Sequence, residues 1–338
     1  METPNTHPDD PVSSLHSNDD DGMDFTSDYE PSSASSGFTS IETATKYHIY
    51  ENGRRYQAFV EGRYPLPNDE IEQNREEIKH SMAKVVTGSP LGMAPLGDNP
   101  QKIIDLGTGC GLWAIEAGDC YPSAHVIGVD LSPIQPYFAP PNVEWKIDDL
   151  EADWPPAYRN ADYIHGRCFI PTLRDPHKLI ASSFDHLRPG GWLEFGDIWA
   201  YPHYDNDALP HDSVLNRFFT IFHAHFRRQY GWHPLHPDDV PAAVAAAGFI
   251  NVRVRREKLP LGPWCRQKGD NKMREVGLYM QLLVDGLVAG VLAKYKELDL
   301  TKEEATALAL EAEKAVRDPG QCAYLWWTSV WAQKPGSE

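Results

Sequence analysis

Cysteine is scarce in this 338-residue sequence, and its five cysteines include no C-x-x-C pair: Cys110, Cys120, Cys168, Cys265 and Cys322. This scatter argues against a disulfide framework or a zinc cluster and favours a reducing, intracellular setting. Long apolar runs are also lacking, because the stretch around 280–293 is interrupted by Asp285 and is shorter than the roughly 20 residues of a membrane span. We therefore expect a soluble protein without a membrane partner, in the cytoplasm or alternatively in the nucleus.

Basic residues are absent from the first 40 positions, which contain nine acids. This segment accounts for half of the formal net charge of −18. It is rich in Ser, Asp and Pro and poor in large apolar side chains, so we expect residues 1–40 to form a disordered acidic tail. The acidic balance of the remaining chain argues against direct nucleic-acid binding, because phosphate recognition requires clustered cations.

No G-x-x-x-x-G-K-[ST] motif is present, which excludes a P-loop. Instead, an apolar run containing Asp105 leads into three alternating glycines, Gly107, Gly109 and Gly111, and then into a predicted helix. Glycine permits a positive φ and a close approach between backbone and ligand. The spacing is not the G-x-G-x-x-G of dinucleotide sites, and a carboxylate at Asp105 would repel a pyrophosphate but attract a cationic ligand such as S-adenosylmethionine.

Two further acids come at the ends of predicted strands. Asp130 lies about 20 residues beyond the glycine turn, where a carboxylate can accept hydrogen bonds from ribose hydroxyls. Asp148 and Asp149 follow the next strand. Because parallel strands bring their carboxyl ends to one edge of a sheet, we expect Asp105, Asp130 and Asp149 to line one ligand site there.

Three motifs resemble those of class I, S-adenosylmethionine-dependent methyltransferases: I-D-L-G-T-G-C-G at 104–111, G-V-D-L-S at 128–132 and H-L-R-P-G-G-W-L-E at 186–194. Three others are similar to the LaeA-like methyltransferases of filamentous fungi: E-N-G-R-R-Y at 51–56, Y-P-L-P-N-D-E at 64–70 and D-L-S-P-I-Q-P at 130–136. The similarity extends from about residue 41 to residue 335. It implies an α/β, Rossmann-like fold with a seven-stranded, mostly parallel sheet and helices on both faces.

The resemblance also implies the cofactor, S-adenosyl-L-methionine, and its contacts. Asp105 would bind the amino group of the methionine moiety, directly or through water, and Asp130 the ribose hydroxyls. Asp149, rather than Asp148, would accept from the adenine amino group. The complete set of implied cofactor contacts is Asp105, Gly107, Thr108, Gly109, Asp130, Leu131, Asp149 and Leu150.

Periodicity and turn signals predict strands over 103–106, 124–130, 143–147, 161–165, 192–195, 249–255 and 324–331. The resemblance implies that the last of these strands is an antiparallel edge insertion. Helices are predicted over 69–86, 112–118, 175–187, 213–229, 236–247, 273–294 and 302–317. We expect a lid and linker over 41–100 and a methyltransferase domain over 101–335. Insertions at 200–234 and 258–317 would form a helical cap and shape an acceptor pocket.

Catalytic residues are less well indicated. Methyl transfer requires chiefly alignment of the acceptor with an already activated methyl group. His165, at the end of the fourth strand, is the candidate base, and packing or a hydrogen bond to the cofactor is the alternative. Tyr56 or Tyr64 could close over the methionine end or simply pack against the sheet. His223 and His225 lie two residues apart on a predicted helix and cannot chelate together, so no metal is expected.

The function predicted is methyl transfer to a small-molecule acceptor in fungal secondary metabolism. The alternative is a LaeA-type nuclear regulator that acts through protein partners. A non-catalytic, cofactor-binding scaffold is disfavoured by the intact glycine turn and its three acids. The motifs are common to the first two functions and do not separate them.

Overall fold

The computed structural model describes residues 48–205, 213–233, 235–264 and 270–337. The predicted disordered tail, residues 1–40, lies outside these ranges, as does Cys265. The first element is a hairpin that was not predicted, formed by β1 (His48–Glu51) and β2 (Arg54–Gln57). Its two turn residues, Asn52 and Gly53, both have positive φ, which suits the twist of a two-residue hairpin.

A long helix, α1 (Glu70–Thr87), follows the hairpin and agrees closely with the prediction. The side chain of Asp69 accepts a hydrogen bond from the backbone of Glu72 and caps the amino end. Gly88 ends the helix in the left-handed conformation, with a φ of 67°.

The seven predicted strands are all present: β3 (Lys102–Leu106), β4 (His125–Asp130), β5 (Val143–Ile147), β6 (Ala161–Arg167), β7 (Leu187–Tyr204), β8 (Ile250–Pro260) and β9 (Ala323–Gln333). They form one sheet in the order β5-β4-β3-β6-β7-β9-β8. Strands β3 to β7 are parallel, and β9 is antiparallel to both of its neighbours. This confirms the Rossmann-like class. The order reverses between β3 and β6, which is where open α/β sheets form a ligand crevice.

Two predictions about the sheet need correction. The last strand, β9, was expected at the edge, but it pairs along most of its length with both β7 and β8, and β8 is the edge strand. Strand β7 was expected over four residues and is 18 residues long. Its pairing with β9 continues as far as Tyr204, so the strand extends into the region expected to be an insertion.

The remaining helices are α2 (Leu112–Cys120), α3 (Pro176–His186), α4 (Val214–Tyr230), α5 (Val240–Ala246), α6 (Asn271–Leu292) and α7 (Lys302–Arg317), with short 3-10 turns at Pro156–Tyr158 and Ile170–Thr172. Helices α4, α6 and α7 contribute to one apolar cluster that also includes Met82 and Val86 of α1. This cluster joins the helices of the expected cap to α1 and to the long strands β7, β8 and β9.

Helix α6 is long and apolar enough to cross a membrane by length and composition, contrary to the estimate from the sequence. Half of its most apolar window is buried inside the protein. Its buried residues include Met280, Leu283 and Val288, which belong to the same cluster as Met82. The apolar character of α6 is therefore used, at least in part, for packing against the other helices.

Candidate functional site

The turn after β3 uses three glycines with left-handed backbone conformations: Gly107, Gly109 and Gly111 have φ values of 64°, 56° and 77°. A Cβ on Gly107 would lie 2.7 Å from the ring of Phe169. One on Gly111 would lie 2.5 Å from the ring of Trp145. The glycines are thus required both by backbone conformation and, at two positions, by close aromatic neighbours.

Asp130 ends β4 beside this turn. Its carboxylate accepts hydrogen bonds from the backbone amides of Gly109 (2.8 Å) and Ser132 (2.9 Å). Burial raises the pKa of Asp130 to about 6, although both amide hydrogen bonds act to lower it. Since a carboxylate has about four acceptor sites, two remain for a ligand.

Asp105, on β3, is buried and has partners on both oxygens. Oδ1 lies 2.8 Å from Nδ1 of His165, and Oδ2 accepts from the Thr108 hydroxyl at 2.6 Å. The imidazole of His165 is also buried and stacks on Trp113, with ring centroids 3.8 Å apart and planes within 7°. Because a carboxylate only accepts, Nδ1 of His165 carries the proton and the ring holds Asp105 in one orientation.

Three adjoining cavities open around these residues. The nucleotide cavity is lined by six of the eight predicted cofactor residues: Gly107, Gly109, Asp130, Leu131, Asp149 and Leu150. The other two, Asp105 and Thr108, line a smaller polar cavity with His165. The two cavities share Glu76, Lys79, Gly107 and Arg167. All eight residues therefore lie around one continuous region at the carboxyl edge of the sheet.

The carboxylate of Asp149 is not vacant. Nη2 of Arg63 lies 2.8 Å from each of its oxygens, and Nη1 of Arg63 lies 3.0 Å from Glu151. The neighbouring Asp148 accepts from the Tyr158 hydroxyl and from the backbone of Asp149. A ligand amino group at Asp149 would therefore share this carboxylate with Arg63, a contact that the sequence did not indicate.

Four charged residues of α1 were also missed. Arg75 pairs with Glu72 at 2.5 Å and with Glu76 at 2.6 Å, and Lys79 pairs with the other oxygen of Glu76 at 2.5 Å. All four side chains line one or more of the three cavities. Their spacing of three and four residues on one helix face was a usable signal, but such charges are ordinarily solvated.

The third cavity, of about 210 Å³, is apolar. We call it the aromatic cavity, because seven Phe, Tyr and Trp rings line it: those of Tyr64 and of Trp199, Tyr201, Phe219, Phe222, Phe226 and Trp232. Tyr64 precedes α1. The other six side chains come from β7, from α4 and from the turn that follows α4, and α6 closes another wall with Met280 and Leu283. The aromatic and nucleotide cavities meet at four shared residues: Tyr64, Lys79, Cys168 and Thr172.

The three residues with predicted catalytic or lid roles occupy different positions relative to these cavities. Among the described residues, His165 lines the polar cavity and not the aromatic cavity. Tyr56 lines none of the three cavities and packs under the ammonium of Lys294, 4.6 Å from its ring centroid. Tyr64, the other candidate, lines both large cavities and lies 6.0 Å from the ring of Trp232.

The histidines of α4 have separate partners. Nε2 of His223 donates to the carbonyl of Ala200 at 2.8 Å. His225 lies 3.4 Å from Glu297. Within the described ranges, no three His, Cys, Asp or Glu side chains come together in a group that could hold a metal ion.

Comparisons with known proteins give consistent findings. Residues 74–254 match the family model described as "Methyltransferase domain". Methyltransferase pytC of Aspergillus terreus is 34% identical over 307 residues, which cover 89% of this chain and 92% of that protein. Secondary metabolism regulator LAE1 of Cochliobolus heterostrophus is 33% identical over 253 residues, covering 73% and 81%.

A similar solved structure is phosphoethanolamine N-methyltransferase 2 of Haemonchus contortus, in complex with S-adenosyl-L-methionine. It is 17% identical to this chain, with a TM-score of 0.48. The match covers 83% of this chain and 62% of that longer one.

Proposed function

We propose a specific role for this chain, which belongs to the S-adenosylmethionine-dependent methyltransferase family: it transfers the methyl group to a small-molecule acceptor held in the aromatic cavity. The observation that carries the proposal is the junction between the two large cavities. A methyl donor in one and an acceptor in the other would meet at Tyr64, Lys79, Cys168 and Thr172.

The nucleotide cavity fits the adenosine part of the cofactor. The two unoccupied acceptor sites on Asp130 match the two ribose hydroxyls, and the left-handed Gly107 and Gly109 leave the backbone uncovered beside them. We assign the adenine ring to the region between Leu131 and Leu150. Its amino group would donate to Asp149, whose carboxylate can still accept while bonded to Arg63.

The polar cavity fits the amino-acid end. Arg167 supplies positive charge for the carboxylate, and Asp105 supplies an acceptor for the ammonium. His165 and Thr108 fix the orientation of Asp105, so we assign His165 a positioning role. The bound cofactor supplies an electrophilic methyl group, and the chain contributes binding and alignment. We also propose that residues 41–100 include the lid, through Arg63 and Tyr64.

The size and lining of the acceptor site favour a small molecule. Phe219, Phe222 and Phe226 lie on one helix and present a wall of rings to the aromatic cavity. Apolar, aromatic lining with few polar groups is typical of small-molecule pockets. The similarity to methyltransferase pytC supports catalysis of methyl transfer, and the similarity to the secondary metabolism regulator LAE1 supports a role in fungal secondary metabolism.

Calorimetric titration with S-adenosylmethionine and S-adenosylhomocysteine tests the cofactor site. We expect micromolar binding by the wild type and a loss of at least about 100-fold in Asp130→Asn, because the amide cannot accept from both hydroxyls while keeping both backbone contacts. Asp153→Asn is the matched control, since Asp153 is fully exposed and loses the same charge. Equal affinities in wild type and Asp130→Asn would show that the site is misplaced.

The second candidate is a regulator that methylates or binds a protein, favoured by the similarity to LAE1. Incubation of this protein with a fungal lysate and tritiated S-adenosylmethionine distinguishes the two candidate functions. Label in the low-molecular-weight organic fraction supports the small-molecule acceptor. Label in protein bands alone, absent from Asp130→Asn, supports the regulator.

A further inference from the structure

We propose that the acceptor is a flat, apolar molecule with an acidic oxygen, such as a phenol, an enol or a carboxylic acid, and that Lys79 holds this oxygen as an anion at the junction. The inference rests on the proposed function and adds to it the charge of the acceptor and a residue that recognises it. Lys79 lines all three cavities, so its side chain lies at the junction where donor and acceptor would meet.

The charges of α1 are sorted between the two sides of this junction. Glu72 and Glu76 line the nucleotide cavity, whereas Arg75 lines the aromatic cavity. On this helix the two acids therefore face the side on which a sulfonium would bind, Arg75 faces the acceptor side, and Lys79 lines both. Side chains three or four residues apart on a helix are neighbours on its surface. The charged residues of α1 can therefore pair with one another and still line two different cavities.

The aromatic cavity carries charge of one sign. Among the described residues that line it, the charged ones are Arg75, Lys79 and Arg227, and none is an aspartate or glutamate. The side chains of Arg75 and Lys79 are only 11% and 13% exposed, so water screens them weakly. Glu72 and Glu76 pair with Arg75 and Lys79, but both acids line the nucleotide cavity and not the aromatic cavity. An ammonium acceptor would therefore meet only cationic side chains on the wall of the aromatic cavity, whereas an oxyanion could accept hydrogen bonds from them.

Lys79 is suited to this contact by its donors. An ammonium has three donors, and its pairing with Glu76 at 2.5 Å accounts for one. The other groups at the junction are neutral: burial raises the pKa of Tyr64 well above its ordinary value and also raises that of Cys168. Lys79 is therefore the charged group of the four that the two large cavities share.

Transfer to an ionised oxygen balances without a protein base. A lone pair of the acceptor oxygen forms the O–CH3 bond while the S–CH3 bond breaks and its electron pair stays on sulfur. The products are a neutral methyl ether or ester and the thioether S-adenosylhomocysteine. No proton remains to be removed in this step, which agrees with the placement of His165 away from the aromatic cavity.

Two fluorescent probes with the same ring framework test the charge preference without the cofactor. 8-Anilino-1-naphthalenesulfonate is anionic, and N-phenyl-1-naphthylamine is its neutral counterpart. We expect the wild type to bind the anion at least about tenfold more tightly, and Lys79→Met to reduce this ratio to about threefold or less. Lys79→Arg should preserve the preference, because it retains the positive charge.

The matched control is Lys84→Met, since Lys84 lies on the same helix, pairs with Glu116 and lines none of the three cavities. Leu287→Trp, which narrows the aromatic cavity, should weaken both probes. Equal affinity for the two probes in the wild type would overturn the proposal. So would an anion preference that survives Lys79→Met, or affinities for the two probes that are both unchanged in Leu287→Trp.

Calorimetry with S-adenosylmethionine on the same preparations separates this failure from a failure of the proposed function. A wild type that binds the cofactor without preferring the anionic probe contradicts the acceptor class alone. A wild type that does not bind the cofactor contradicts the proposed function, whatever the probes show. Thermal unfolding followed by circular dichroism confirms that each variant is folded.

Discussion

Arg63 binds the carboxylate of Asp149, with Nη2 2.8 Å from each oxygen, across 86 residues of sequence. The contact ties the segment that precedes α1 to the loop that follows β5. A carbonyl of the same segment, that of Gly62, also accepts from Arg174 at 3.0 Å. Arg63 and Asp149 both line the nucleotide cavity, so this segment is fixed beside the cavity by contacts to two other parts of the chain.

Removing the contact between Arg63 and Asp149 should increase the dissociation rate of the cofactor. We expect Arg63→Met to raise the dissociation rate of S-adenosylmethionine about tenfold, because a partly buried charge-assisted contact of the lid is lost. Stopped-flow fluorescence with excess S-adenosylhomocysteine as competitor measures this rate. Arg159→Met, which removes the same charge from an exposed position, is the control. An unchanged rate in Arg63→Met would contradict a lid function for this segment.

Cofactor affinity should depend on the ionisation of Asp130. Burial raises its pKa to about 6 in the folded protein, and only the ionised carboxylate can accept from two backbone amides and two hydroxyls together. Affinity is therefore fully present above pH 6 and is lost as the pH falls through 6. Calorimetry between pH 5 and pH 7.5 should show about a tenfold change in affinity, because protonation of one carboxyl lowers the ionised fraction about tenfold for each pH unit below its pKa.

Asp197 is a second buried carboxyl whose titration could be mistaken for that of Asp130, so the experiment needs a control variant at Asp197. It accepts from the backbone of Phe169 at 2.8 Å, and burial raises its pKa to about 7. Asp197→Asn should leave most of the pH dependence in place, whereas Asp130→Asn should bind weakly at every pH. If Asp197→Asn alone abolishes the dependence, Asp130 is not the group responsible.

His165 should behave as a positioning residue rather than a base. We expect His165→Gln to raise the KM for S-adenosylmethionine about tenfold, because Asp105 loses a buried hydrogen-bond partner. The value of kcat should stay within about threefold and its pH profile should keep its shape. His125→Gln, at an exposed position, is the control. A large fall in kcat with loss of the acidic limb of the profile would instead identify a base, because a base is inactivated by protonation at low pH.

The two glycines of the turn provide a matched pair. Both Gly107 and Gly109 have left-handed backbones, so alanine costs about 1–2 kcal/mol at either position. Only at Gly107 does the added Cβ meet a neighbour, the ring of Phe169 at 2.7 Å, whereas that of Gly109 meets open space. Urea unfolding should therefore show a larger loss of stability for Gly107→Ala than for Gly109→Ala.

Shortening the neighbour tests the cause of that difference. We expect Gly107→Ala to cost less stability in the Phe169→Leu background than in the wild type, because the added Cβ clashes with the Phe169 ring. The two costs are obtained by comparing the double variant with Phe169→Leu, and Gly107→Ala with the wild type. Equal losses for the two alanine variants, or no recovery in the double variant, would contradict the proposed contact.

Local sequence was sufficient for the parallel half of the sheet and for α1. Strands β3 to β6 are short, apolar and bounded by acids or turns, so both their positions and their ends can be predicted from the sequence. The full length of β7 could not be predicted in this way, because its extension depends on pairing with β9, more than 100 residues away. The hairpin of β1 and β2 was likewise missed, although Asn52 and Gly53 are a recognised turn pair.

The sequence by itself determined the family, the glycine turn and the acids at the strand ends, because these depend on backbone conformation and on residue types at short spacing. Only the tertiary structure decided the partners of those acids: Arg63 on Asp149, and His165 on Asp105. It also decided that Lys79 lies where three cavities meet. Such contacts join segments that are distant along the chain, and their geometry follows from the packing of helices on the sheet, which no local pattern encodes.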